Sequence, residues 1–149
     1  MNFYKMALVV FLMGSVKVNA GDFFERNGVA IDGYDPVSYF QENLPKKGNK
    51  KIFAIFRGSR FQFTSEGNRT KFLSNPDGYS PQYNGFCAFG VAGGYKAKIE
   101  GVAFSIVNGK LYLNYDLSVR RQWLEDKDGY IRRADENWPS VSLQTDVQQ

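Results

Sequence analysis

Apolar positions along this chain come in short blocks whose period switches between two and three to four. Residues 28–31 form a brief apolar stretch turned by Asp32-Gly33. Asp35-Pro36 then predicts a helix to about Glu42, with the aspartate as N-cap and proline at the first helical position, where a missing N–H is tolerated. After a loop over residues 46–51, residues 52–56 and 60–64 read as strands joined at Gly58-Ser59. Ser65 offers the cap of a helix from Glu66 to about Ser74, which Asn75-Pro76 stops. Turns or a short helix rich in Tyr and Pro fill residues 77–84. Residues 85–91 suit another short helix that carries Cys87 and closes at Gly93-Gly94.

The clearest local signal is a second hairpin. Residues 103–107 and 110–115 flank Asn108-Gly109, the dipeptide best suited to a type I′ turn. Phe104 and Ile106 face Leu111 and Leu113, alternating with Ser105, Val107, Tyr112 and Asn114, which predicts one apolar face per strand. Asp116 caps a helix to about Glu125, with Leu117, Arg121 and Leu124 on one stripe and Arg120 and Gln122 outside it. A last helix spans residues 129–137 and ends at Pro139. Residues 142–149 are polar and lack periodicity, which predicts a disordered tail. No internal repeat stands out. The expected fold is α+β: small antiparallel hairpins packed with short helices, a single domain over residues 21–141.

The first twenty residues do not belong to that domain. Lys5 is followed by an apolar run over residues 6–16, and Val18-Asn19-Ala20 supplies the small residues of a signal-peptide cleavage site. The run is too short to span a membrane. The chain is therefore expected to be periplasmic or secreted, cleaved after Ala20 and not inserted in the membrane. Of 19 basic residues two, Lys5 and Lys17, lie in this leader, against 15 acidic ones all beyond it, so the processed chain carries only +2. That excess argues against nucleic acid as a partner.

All three methionines (Met1, Met6, Met13) sit in the leader, histidine is absent, and the single cysteine is Cys87. Histidine-ligated metals, histidine-assisted nucleophiles and an internal disulfide all lack their parts. Cys87 is one candidate binding residue. Near the start of a helix it would have a lowered thiol pKa, whereas packed among Phe86, Phe89 and Tyr83 it would be inert. Tyr83, Phe86 and Tyr95 complete the candidate set, as aromatic side chains on loops able to line a pocket for a planar or apolar ligand. The carboxylates fall at caps and turns and show no paired acid–base spacing. No catalytic residue, metal ligand or cofactor is assigned.

Asp35-Pro36-Val37, the run from Phe56 to Gly67, then Phe72, Pro76 and Tyr79 resemble the YHS domain. Asn84-Gly85-Phe86-Cys87-Ala88, the run from Gly109 to Tyr115, and Ala134-Asp135-Glu136-Asn137-Trp138-Pro139 resemble the C-terminal extension of exported YHS-domain proteins. The resemblance implies an ancestral metal site with three cysteines, whose places are taken here by Ser38, Thr64 and Asn68. Neutral hydroxyls and amides are poor ligands for zinc or copper. The expected function is a non-catalytic accessory module binding a small ligand or a periplasmic protein partner. Copper or zinc handling and thiol chemistry at Cys87 are the alternatives.

Overall fold

The computed structural model describes residues 21–149. The leader and its cleavage position lie outside the described residues. The chain opens with a strap in which β1 (Glu25–Arg26) pairs with β2 (Val29–Ala30). A left-handed turn over Ile31–Gly33 leads into α1 (Pro36–Gln41). There Asp35 caps as expected, accepting from the Val37 N–H at 2.8 Å. β3 (Asn49–Phe56) and β4 (Ser59–Phe63) form an antiparallel hairpin, followed by α2 (Glu66–Ser74) and α3 (Pro76–Tyr79). A second left-handed turn enters α4 (Ala88–Ala92), and β5 (Lys96–Ala97) is a short strand. The hairpin of β6 (Glu100–Val107) and β7 (Lys110–Asn114) then precedes α5 (Leu117–Glu125) and α6 (Lys127–Val141). Finally β8 (Val147–Gln148) pairs in parallel with β5. The architecture is α+β.

The chain contains an internal repeat. β3, β4 and α2, of 8, 5 and 9 residues, recur as β6, β7 and α5 with the same lengths, each starting 51 residues later (Asn49 to Glu100, Ser59 to Lys110, Glu66 to Leu117). Both hairpins shift register at the same place, between Asn49 and Phe53 and between Glu100 and Phe104. Both turn through two left-handed residues, Arg57-Gly58 (φ 48° and 78°) and Asn108-Gly109 (φ 50° and 73°), where glycine avoids the Cβ penalty. Ser65 and Asp116 cap the following helix by accepting from the N–H three residues on. Asn75 and Asp126 then end that helix and cap the next in the same way. Upstream, Ile31-Asp32-Gly33 and Tyr83-Asn84-Gly85 are matching left-handed triplets, each followed by an aromatic residue and a helix cap, Asp35 and Cys87.

Residue identities follow the same offset: Phe53 and Phe104, Ile55 and Ile106, Gly58 and Gly109, Arg69 and Arg120, Leu73 and Leu124, and Asp77-Gly78-Tyr79 against Asp128-Gly129-Tyr130. The cores correspond as well. Phe72 of α2 is fully buried against Phe61 and Phe63, and Trp123, its counterpart on α5, is fully buried against Tyr112. The absence of a repeat expected from the sequence is thus corrected. Few of its paired residues are identical, because cap and core positions accept chemical equivalents: serine or aspartate at a cap, phenylalanine or tryptophan in the core.

Other expectations also need correction. Asn49, Lys50 and Lys51 begin β3 rather than ending a loop, and the first turn centres on Arg57-Gly58, leaving Ser59 in β4. β7 is buried on both faces from Leu111 to Asn114, so its alternation does not separate core from solvent. α5 is rotated from the expected stripe, because burying the Trp123 indole removes more apolar surface than burying either leucine. Leu117 and Leu124 are left 47% and 40% exposed. α6 continues through Pro139, held by Trp138 packed on Tyr83 and by buried Val141. The tail expected to be disordered is fastened. Lys98 N donates to Gln148 O, Lys96 Nζ donates to Ser142 O and Gln144 O, and Gln144 Nε2 donates to Gly94 O.

Candidate functional site

The repeat places two equivalent positions at the caps of α1 and α4, and their chemistry has diverged. In the first copy the Asp35 carboxylate is fully buried. One oxygen takes the Val37 N–H at 2.8 Å. The other takes the Thr64 N–H and Oγ1 at 2.8 Å each and Asn68 Nδ2 at 2.7 Å. Asn68 Nδ2 also donates to Thr64 Oγ1, while Ser38 Oγ donates to Asp35 O and Leu44 O. Of the positions where the resemblance implies metal-binding cysteines, Thr64 and Asn68 converge on the Asp35 carboxylate, while Ser38 bonds only to backbone carbonyls. This set does not fit a zinc or copper ion, which needs thiolate, imidazole or free carboxylate lone pairs.

In the second copy Cys87 stands where Asp35 stands, Tyr115 replaces Thr64 and Val119 replaces Asn68. The thiol is 1% exposed and donates to Asn114 Oδ1 at 3.7 Å, an oxygen that also accepts from the Phe89 N–H at 3.1 Å. Burial pushes the Cys87 thiol above its ordinary value. Backbone N–H groups of Gly90, Tyr115 and Phe89 act in the opposite direction without overcoming it. α4 is too short and the thiol too desolvated for the expected helix-start activation. With Val119 in place of Asn68, the second copy has no counterpart to the hydrogen-bond network of the first. A cavity of about 200 Å³ lies beside the thiol, lined by Cys87, Phe89, Tyr95, Ala97, Tyr115 and Val119, with Gln148 and Gln149 of the tail also against it.

The four candidate binding residues do not share one pocket. Cys87 and Tyr95 line this cavity, and burial raises the Tyr95 phenol beside the thiol. Phe86 lines a larger space of about 700 Å³ between the N-terminal strap and the tail. Tyr83 lines a third, of about 290 Å³, with Asp77, Asp135 and Trp138. Its phenol donates to Asp135 Oδ1 at 2.8 Å, and burial followed by that bond holds the proton on firmly.

The chain matches no protein-family model, no curated protein and no solved structure. Its chemistry is therefore read from the site itself.

Asp35 and Asn114 are the two residues sequence reasoning passed over. Asp35 was legible only as a cap. Asn114 looked like one more alternating strand residue, yet it is fully buried, and its Nδ2 has no hydrogen-bond partner among the described residues. The repeat would have marked it, since its counterpart in the first copy is the core residue Phe63. Among the described residues no group of three or more His, Cys, Asp or Glu side chains is placed to hold a metal ion, and no helix is long and apolar enough to cross a membrane.

Proposed function

We propose that this chain is a non-catalytic accessory module of the YHS type, exported from the cytoplasm, which holds a small apolar or planar ligand in the cavity of its second copy. The observation that carries the reading is the space beside Cys87. It is walled by the rings of Phe89, Tyr95 and Tyr115 and by Ala97 and Val119, with the thiol, Gln148 and Gln149 also against it. Cavities of this kind bind small aromatic molecules through apolar contact, with few polar atoms to fix orientation. A thiol raised by burial, in a chain without histidine, has neither the thiolate character nor the base that nucleophilic catalysis needs. The YHS-like residues support the family reading. The apolar run and Val18-Asn19-Ala20 support export.

Benzene and indole, titrated into the purified protein, should raise its melting temperature in a concentration-dependent way. In Ala97→Leu, which fills the cavity, the rise should vanish. An unchanged melting temperature with every small apolar probe, or an equal rise in the filled variant, would overturn the ligand reading. Mass spectrometry of the exported protein should show Gly21 as its first residue. A species retaining the leader after export would overturn that part.

A further inference from the structure

The internal repeat shows how the outer face of a hairpin is covered in one copy and left open in the other. On β6–β7 that face carries Phe104 and Ile106, paired across the ribbon with Leu113 and Leu111. Both leucines are fully buried. The first copy supplies the cover: the Tyr39 ring of α1 packs on Phe104 with centroids 4.9 Å apart, and its phenol donates to Gly101 O at 2.7 Å. Tyr34 also rests against Gly101, where a Cβ would meet its ring at 2.2 Å. The equivalent face of β3–β4 is made of Phe53 and Ile55, with Gln62 and Arg60 opposite them. Here Ile55 is 58% exposed, and Lys50, the counterpart of Gly101, is exposed as well. Arg60 stands in for the missing tyrosine. Its guanidinium lies 3.4 Å from the centroid of the Phe53 ring, and its Nη2 donates to Lys50 O at 2.8 Å.

We propose that the outer face of β3–β4 is a protein-docking surface, and that its occupant is an acidic helix bearing an aromatic side chain, supplied by a different protein. Three observations carry this choice. Phe53 and Ile55 are the same residue types as Phe104 and Ile106, so the strand that receives a ring is kept in both copies although α1 packs on only one. Residues 43–65 hold six basic side chains and no acidic one. Lys46, Lys47 and Arg57 are paired with Glu42, Asp32 and Asp22, while Lys50 and Lys51 make no ion pair among the described residues. Such a face attracts an acidic helix and repels a basic one. A second molecule of this chain does not fit. Its α1 is already seated on β6–β7, and in α4 the counterpart of Tyr39, Val91, is fully buried beneath α6, whose Asn137 Nδ2 donates to Val91 O and Ala92 O. The arriving ring takes the place of the Arg60 guanidinium on Phe53, as Tyr39 holds that place on Phe104. A solvent-facing cation–π contact is weak enough to be exchanged. The displaced guanidinium then pairs with a carboxylate of the partner, a match to its two-pronged donor geometry. None of these residues lines the cavity beside Cys87, so the surface does not depend on the ligand proposed there.

The probe is a synthetic peptide of about 18 residues, long enough to form a helix in isolation, built from alanine and glutamate with one central tyrosine. Titrated into protein carrying labelled isoleucine methyl groups, it should shift the Ile55 signal and leave that of Ile106 in place. Lysine in place of the glutamates should abolish the shift, and alanine in place of the tyrosine, or added salt, should weaken it. Arg60→Glu should lower the affinity at least about fivefold. Lys110→Glu, a change of the same sign on the other hairpin, should leave it unchanged. Vesicles of anionic phospholipid should not move the Ile55 signal. An Ile55 signal indifferent to the acidic peptide, equal binding of the lysine peptide, or a shift produced by the vesicles, which would assign the face to a membrane, would each overturn the proposal. The methyl result is read on unsubstituted protein and decides the matter even if Arg60→Glu fails to fold.

Discussion

Replacing Asp35 by alanine tests whether the first copy is held together by its buried carboxylate. The side chain is fully buried and accepts four hydrogen bonds. Loss of the α1 cap alone costs about 1 kcal/mol. Thr64 is solvent-exposed, so its N–H and hydroxyl can turn to water, and their loss adds little. Asn68 is 7% exposed, and its Nδ2 would keep only the 3.1 Å contact to Thr64 Oγ1, a loss of about 1–2 kcal/mol given that the bond was to a charged acceptor. The small cavity left by the carboxylate adds roughly another 1 kcal/mol. The total is about 3–4 kcal/mol, a large part of the roughly 5–15 kcal/mol that stabilises a domain of this size. Urea unfolding followed by circular dichroism measures it, with the m-value checked for constancy. A loss below about 1 kcal/mol at unchanged m would refute the view of Asp35 as the hub of its copy.

The remaining predictions concern turns, the thiol and the tail. Gly109→Val should cost roughly 1 kcal/mol or more by thermal melting, because φ is 73° there and no atom lies near enough for steric crowding to confuse the cause. Cys87→Ala should cost on the order of 1 kcal/mol or less, and iodoacetamide labelling of folded protein should be slow at pH 6–7 and rise only at alkaline pH. Because burial raises the folded thiol's pKa, the unfolded chain loses that proton first. The stability of the protein relative to Cys87→Ala should therefore fall as pH climbs past the free-cysteine value of about 8.5 and be constant below it, as paired melts across pH would show. Deleting residues 145–149 removes Gln148 and Gln149 from the cavity lining and should speed that labelling severalfold without unfolding the domain.

Much of the local structure was legible because it rests on local rules. Asp35, Ser65 and Asp116 announce helix starts through their own side chains, and Asn108-Gly109 announces its turn through the φ values it tolerates. What escaped depends on tertiary choice. Which face of α5 turns inward is decided by competition between Trp123 and two leucines, and continuation of α6 past Pro139 by the seating of Trp138 and Val141. At the candidate site, Cys87 and Tyr95 were legible as residue types. Their shared cavity was not, since its walls come from segments far apart in sequence, Tyr115 and Val119 at the start of α5 and Gln148 and Gln149 of the tail.

Two similar hairpin–helix units within one chain also pose a problem of self-recognition during folding. Each helix could dock on the wrong hairpin, since lengths, turns and caps agree in both. The side chains at the docking points tell them apart. Phe72 is met by Phe56, Phe61 and Phe63, whereas the wider Trp123 indole lies on Tyr112 beside a strand that ends in the polar Asn114. Exchanging the helices would force an indole into a space shaped for a phenyl ring and leave a phenyl ring in one shaped for an indole, an overpacked core in one unit and a void in the other. Divergence of the two aromatic clusters thus keeps each helix with its own hairpin, and it guards against the misassembly to which tandem units are prone.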